Sequence, residues 1–211
     1  MRRKIIAPLD MMGEVLAGVV MALTVSVAVW TASGGKVEPR ELVEAVIGCN
    51  VAWGLFDGML YVFGRRAAGA RREFVLESLK GTRDAKQLRE RLDVLVDPGL
   101  AFLVPFMDLE KLRGAVEAGK ADPEGGGSED VLAAVGLGLI EVLSAVPLIL
   151  PLLFIHPPAR AILVSSAIAI VLLAGAGAQV ARWSGQSVWL LGVLTPALGA
   201  VLVAVCLVLG G

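Results

Sequence analysis

The stretch "VIGCNVAWGLFDGMLYVFGRR", from Val46 to Arg66, is apolar over the length of a membrane span except where Asn50 and Asp57 interrupt it. A helix needs about 20 predominantly apolar residues to cross the hydrocarbon core, and this stretch supplies them. A carboxylate within such a span costs about 2.5–3.5 kcal/mol on insertion scales, so it normally faces protein or a water-filled path. Asp57 therefore bears on the fold and on the function together.

The surrounding composition agrees with a membrane span. Of 211 residues, 56% are hydrophobic and only 18% charged, and the mean hydropathy is +0.77, outside the range of an ordinary soluble domain. Five runs have the length of a span: approximately Met11 to Ala32, Leu42 to Gly64, Val131 to Ile155, Ala159 to Ala181 and Val188 to Leu209. "MRRK" before the first, "RRAAGARR" after the second and Arg182 between the fourth and fifth fall on one side. By the positive-inside bias that side is cytoplasmic, with the N-terminus inside and the C-terminus outside. "SGGKVEPRE" and "HPPAR" on the other side make the bias a preference. The first run follows "MRRKII", Asp10 and Glu14 and is as long as a full span, so it reads as a retained helix and not a cleaved signal.

The expectation is an all-α integral membrane protein of five transmembrane helices, with a cytoplasmic helical insertion between the second and third. Residues 1–64 carry the first two helices, 65–130 the charged insertion and linker, and 131–211 the last three. Within the insertion "KQLRERLDVLV" places Leu88, Leu92 and Leu95 on one helical face, and "FVLESL" and "DLEKLRGAVEAG" are shorter versions of that pattern. "ADPEGGGSED" is a polar Pro/Gly linker back to the bilayer. There is no tandem repeat and no long basic run, so nucleic acid is not an expected partner.

Several residues are candidates for chemistry. Asn50 and Asp57 are two helical turns apart, with Trp53 and Gly54 between them on what reads as the same side. In the first span Glu14, Gly18 and Met21 share the same spacing, which puts a carboxylate and a thioether on one face. A hard oxygen with a soft sulfur suits a borderline transition metal such as Fe(II) better than Mg(II) or Ca(II). The third span sets Glu141 before Ser144, Pro147 and Pro151, whose prolines free backbone carbonyls that a neighbour, water or an ion must satisfy.

Each has a plainer reading. Glu14 can be an interfacial carboxylate at the headgroups, Asp57 a structural hydrogen-bonding group, Met21 packing, and Glu141 a helix–helix hydrogen-bond partner. Trp30, Trp53 and Tyr61 read equally as packing or interfacial anchors. Glu73 and Glu77 have the i,i+4 spacing to share a cation, but Arg72 and Lys80 flank them and favour a salt-bridged, solvated face. Cys49 and Cys206 lie in apolar runs, where a thiol behaves as a small hydrophobe. His156, the only histidine, precedes "PP" in a loop. No Ser/His/Asp or Cys/His constellation is present, which argues against a hydrolytic or redox enzyme and for no bound cofactor.

The order of parts resembles the vacuolar iron transporter family: five spans, a charged helical insertion after the second, and a Pro-containing third span. The likeness is closest in "LSAVPLILPLLF", residues 143–154, and in "ARAILVSSAIAIVLLAGAGAQVARWSGQSVWLLGVLTPALGAVLVAVCLVLG", residues 159–210. The resemblance implies a homodimer in the bilayer whose first two helices line a path that exports Fe(II) or a similar divalent cation in exchange for protons. Glu14 falls where that family begins its first helix with Asp, and Met21 where it has a second carboxylate. In the second helix Asp57 stands in for the family's Glu, and Met59 or Trp53 for its Met. The insertion lacks the family's density of metal-binding Glu.

The expected cation ligands are thus Glu14, Met21, Asn50 and Asp57, with Asp10, Met59, Glu141, Glu73 and Glu77 in a wider set. The expected function is a divalent-cation exporter for Fe(II) or Mn(II), coupled to protons, in a bacterial inner membrane. The alternative is a non-transporting scaffold or sensor with the same fold, favoured by Met21 at a carboxylate position.

Overall fold

The computed structural model describes residues 8–79 and 127–210, together with residues 87, 90, 108, 111 and 114. The described residues form helices and no strands. In chain order the helices are α1 (Pro8–Ala32), α2 (Pro39–Leu79), α3 (Ser128–Phe154), α4 (Pro158–Ser184) and α5 (Val188–Gly210). All five are long and apolar enough to cross a membrane, as the hydropathy pattern predicts. The chain divides into two compact units, one of Met1–Tyr61 with Val131–Gly211 and one of Val62–Asp130.

The helix ends follow from local chemistry. Prolines stand at the first positions of α1, α2 and α4, where the missing N–H would have had no intrahelical partner. α1 stops at Gly34 and Gly35, both at positive φ (61° and 77°), and the Gly35 N–H closes on the Trp30 carbonyl at 3.0 Å. α4 ends the same way on Gly185 at φ 69°, with the Gln186 N–H reaching the Ala181 carbonyl at 3.0 Å.

The helix that holds the second apolar run continues past its end at Gly64 and takes in "FVLESL", which was expected as a separate helix: α2 is one helix of 41 residues. The segment after Gly64, "RRAAGARREFVLESL", is mostly Ala, Arg, Glu and Leu and has no proline. Gly64 and Gly69 each cost only about 1 kcal/mol relative to Ala, too little to break a helix between such neighbours. The amphipathic segment with Leu88, Leu92 and Leu95 lies outside the described residues, as does most of "DLEKLRGAVEAG". At the start of the latter, the Asp108 carboxylate accepts the Lys111 N–H at 3.1 Å. In the second unit Arg65 Nε pairs with Asp130 Oδ1 at 3.2 Å.

In the first unit, the core gathers Val19, Ala22 and Leu23 of α1, Val46 of α2, Ala145, Leu148 and Ile149 of α3, and Ala169 and Leu173 of α4. A second cluster, Val37, Leu42, Leu152, Ala161 and Ile162, packs where α1 turns into α2 and α3 into α4. The outward faces carry large apolar side chains, with Trp189 86% and Leu163 70% exposed. In a bilayer, whose lipid tails are as apolar as leucine, the association of such helices would rest on close packing and interhelical hydrogen bonds. Both devices are present. Ser165 Oγ of α4 donates to the Leu148 carbonyl of α3 at 2.9 Å, between Pro147 and Pro151. Thr195 Oγ1 of α5 reaches the Leu173 carbonyl of α4 at 2.8 Å, and beneath it a Cβ on Gly177 would overlap Thr195 Oγ1 and the Leu191 carbonyl.

Gly177→Val should therefore lower the stability of the detergent-solubilised protein by about 1–3 kcal/mol, the usual cost of overpacking. Gly175, with nothing within 4 Å of its Cβ position, provides the control. Thermal unfolding of Gly175→Ala should show no loss.

Candidate functional site

Three helices of the first unit bring one carboxylate each to a common point. Glu14 of α1, Asp57 of α2 and Glu141 of α3 each place a carboxylate oxygen within 4.8 Å of the others. Glu141 is fully buried and the other two are half-buried. The convergence depends on glycine. A Cβ on Gly18 would overlap Ser144 Oγ and the Glu141 carbonyl, so α1 presses directly on the backbone of α3 at Glu141. On the other flank a Cβ on Gly54 would lie 3.0 Å from the Gly138 carbonyl and 3.2 Å from Glu141 Oε2. One on Gly58 would meet the Ala134 carbonyl at 3.1 Å.

These contacts define an antiparallel crossing of two small-xxx-small pairs, Gly54/Gly58 and Ala134/Gly138. Cα–Cβ bonds tilt toward a helix's N-terminus, so the Glu141 side chain leans back from Gly18 toward the turn of α3 that carries Gly138. Glu14 and Asp57 lie one turn from Gly18 and Gly54 respectively, at the spacing that brings them to the same level.

The oxygens gathered there are poorly satisfied. Glu14 Oε2, both carboxylate oxygens of Glu141 and Asn50 Oδ1 are buried without a hydrogen-bond partner. Asn50 is 0% exposed and spends its Nδ2 on the Val46 carbonyl at 2.9 Å. That bond orients the amide and leaves its oxygen as an acceptor, one turn from Gly54 on the same face of α2. Buried polar groups are nearly always paired, and an ionised carboxylate is acceptor-only. Three carboxylates this close repel one another unless protons or a cation lie between them.

The structure thus brings together Glu14, Asp57 and Glu141 from the expected set, while Asn50 is buried on the same face of α2, two turns before Asp57. Glu14 does not stand open at a helix end, since one of its oxygens is buried against protein. Met21 is half-buried, two turns from Glu14 and on the far side of the Gly18 crossing. Trp53 is corrected: it is 42% exposed, its ring tilted on Phe56 at 5.4 Å, and does not share the buried stripe of Asn50, Gly54 and Asp57. Met59 is also corrected. It lies 58% exposed because nine residues, two and a half turns, carry it to the face opposite Asn50. Asp10 is exposed one turn before Glu14. Glu73 and Glu77 are exposed in the second unit, where no group of three ligand side chains occurs among the described residues.

The sequence reading ranked Glu141 below Met21 and missed Gly138. The signal for Gly138 was its spacing from Ala134, matching Gly54 and Gly58. Among family models of known proteins none matches this chain, and no curated protein matches its sequence.

With divalent cations chelated, Glu141→Gln should raise the melting temperature, because an amide removes one of three crowded like charges and supplies donors for the orphaned oxygens. A gain of about 1 kcal/mol corresponds to roughly 2–4 °C in a chain of this size. The same variant should lose any stabilisation that added divalent cation confers on the parent protein.

Proposed function

We propose that this protein moves a divalent transition-metal cation, Fe(II) or Mn(II), across the membrane, with Glu14, Asp57 and Glu141 as ligands and Asn50 as a neutral oxygen donor. The observation that carries the reading is the convergence of three carboxylates, one from each of three membrane-length helices, with buried oxygens that no protein donor satisfies. Intramembrane carboxylates of this kind mark ion pathways and proton relays. A carboxylate must be deprotonated to hold a metal, so cation binding releases protons and provides a coupling between the two fluxes.

On this reading the protein sits in a bacterial inner membrane with the N-terminus and the 65–130 insertion in the cytoplasm, and it acts as an exporter. The resemblance to the vacuolar iron transporters favours a homodimer and proton antiport. Here the third helix adds a carboxylate to the first two, in place of the second acid that Met21 displaces from α1.

The test is uptake of Mn(II) and Fe(II) into proteoliposomes carrying a proton gradient, followed together with internal pH. Saturable, gradient-dependent flux is expected, with Asp57→Asn and Glu141→Gln each lowering it at least about tenfold, the effect of losing roughly 1.4 kcal/mol of ligation. Flux unchanged in both variants excludes this path. A folded protein without flux or metal binding leaves the scaffold reading.

A further inference from the structure

Resting on the cation-site reading above, we propose that cations reach the three acids only from the end where α1 begins, gathered there by Asp10, and that the opposite direction is closed by an apolar plug. Glu141 is 0% exposed and both of its carboxylate oxygens lack a donor, so whatever serves it must arrive along a route between helices.

That route is open on one side. α1 closes on α3 at Gly18, where Ser144 Oγ and the Glu141 carbonyl fill the space of a Cβ, and α2 closes on α3 at Gly54 and Gly58. Before Gly18, α1 is loosely packed: none of residues 9–17 is buried, and a Cβ on Gly13 would meet nothing within 4 Å among the described residues. Glu14 and Asp57 are half-buried where Glu141 is fully buried, a gradient that rises inward from this end. Asp10 is exposed one turn outside Glu14, on the same helical face, and its charge is felt at Glu14. A fixed negative charge at a mouth concentrates cations and speeds their capture.

Past the acids the packing changes. Val19 and Leu23 of α1, Val46 of α2 and Ala145 and Leu148 of α3 are buried together, and Leu42 and Leu152 carry the seal further along the same helices. On α2 the polar stripe stops at Asn50 and goes on as Val46 and Leu42, each 1% exposed. From Val19 to Ser26 this packing lines about 10 Å of α1. Ser26 Oγ is committed to its own helix, donating to the Ala22 and Leu23 carbonyls at 2.7 and 3.0 Å. Onward passage of an ion therefore requires the helices to part beyond Gly18.

The experiment uses the full chain in vesicles whose orientation is fixed by protease access to an N-terminal tag. Cys49→Ser and Cys206→Ser clear the background, and one cysteine is then introduced at a time. Gly13→Cys reports the mouth, and Val46→Cys, close in volume to valine, reports the plug. Without metal, a charged thiol reagent that does not cross the bilayer should label Gly13→Cys from the N-terminal side alone and leave Val46→Cys unlabelled from both. Label on a monodisperse Val46→Cys from either side, or none on Gly13→Cys from the N-terminal side, overturns the proposal. Asp10→Asn should slow Mn(II) binding about two- to fourfold at low ionic strength, with dissociation unchanged and the difference lost near about 1 M salt. An unchanged binding rate, or faster dissociation, overturns the role given to Asp10. Absence of saturable Mn(II) binding to the parent chain fails the cation-site reading itself, a result separate from the labelling pattern.

Discussion

The rest of the structure is organised around one buried carboxylate. Glu141 sits on α3 with α1 pressed against its backbone at Gly18 and α2 against its side chain at Gly54. A buried acid without a donor is expensive enough that a fold retains it only for a compensating reason. Here the two glycines that admit it also bring Glu14 and Asp57 within reach. Replacing either glycine with a larger residue would separate the helices and disperse the acids, so the packing and the site are the same feature.

In a bilayer this dependence would follow from the solvent. In water, burial of apolar side chains would hold five such helices together, and the contact positions could be filled by any residue of suitable volume. In lipid that driving force between helices is gone, and contact is decided by how closely backbones approach and which polar atoms meet. The Gly54/Gly138 and Gly58/Ala134 crossing and the Gly177 contact supply the first. Ser165 to Leu148 and Thr195 to Leu173 supply the second.

Helix existence was legible because apolar runs of span length have few other interpretations, and four of the five were found within a few residues of both ends. The length of α2 was not. Hydropathy marks where the apolar run stops at Gly64, but helix propensity carries the backbone on through "RRAAGARREFVLESL", and the two signals answer different questions. In the site, periodicity correctly placed Asn50, Gly54 and Asp57 on one buried stripe. It failed for Trp53, which lies near the edge of that stripe, where neighbouring helices decide between burial and exposure.

By itself the sequence determined that the chain is helical, that five of its segments suit a bilayer, and that Asp57 and Glu141 are carboxylates within them. Those properties are local, set by composition and by the 3.6-residue period. Only the tertiary structure decided which acids meet. Glu14, Asp57 and Glu141 are separated by 43 and 84 residues, and no spacing rule within a helix relates them. Their meeting depends on the crossing points of three helices, which the close approach at Gly18, Gly54 and Gly138 sets.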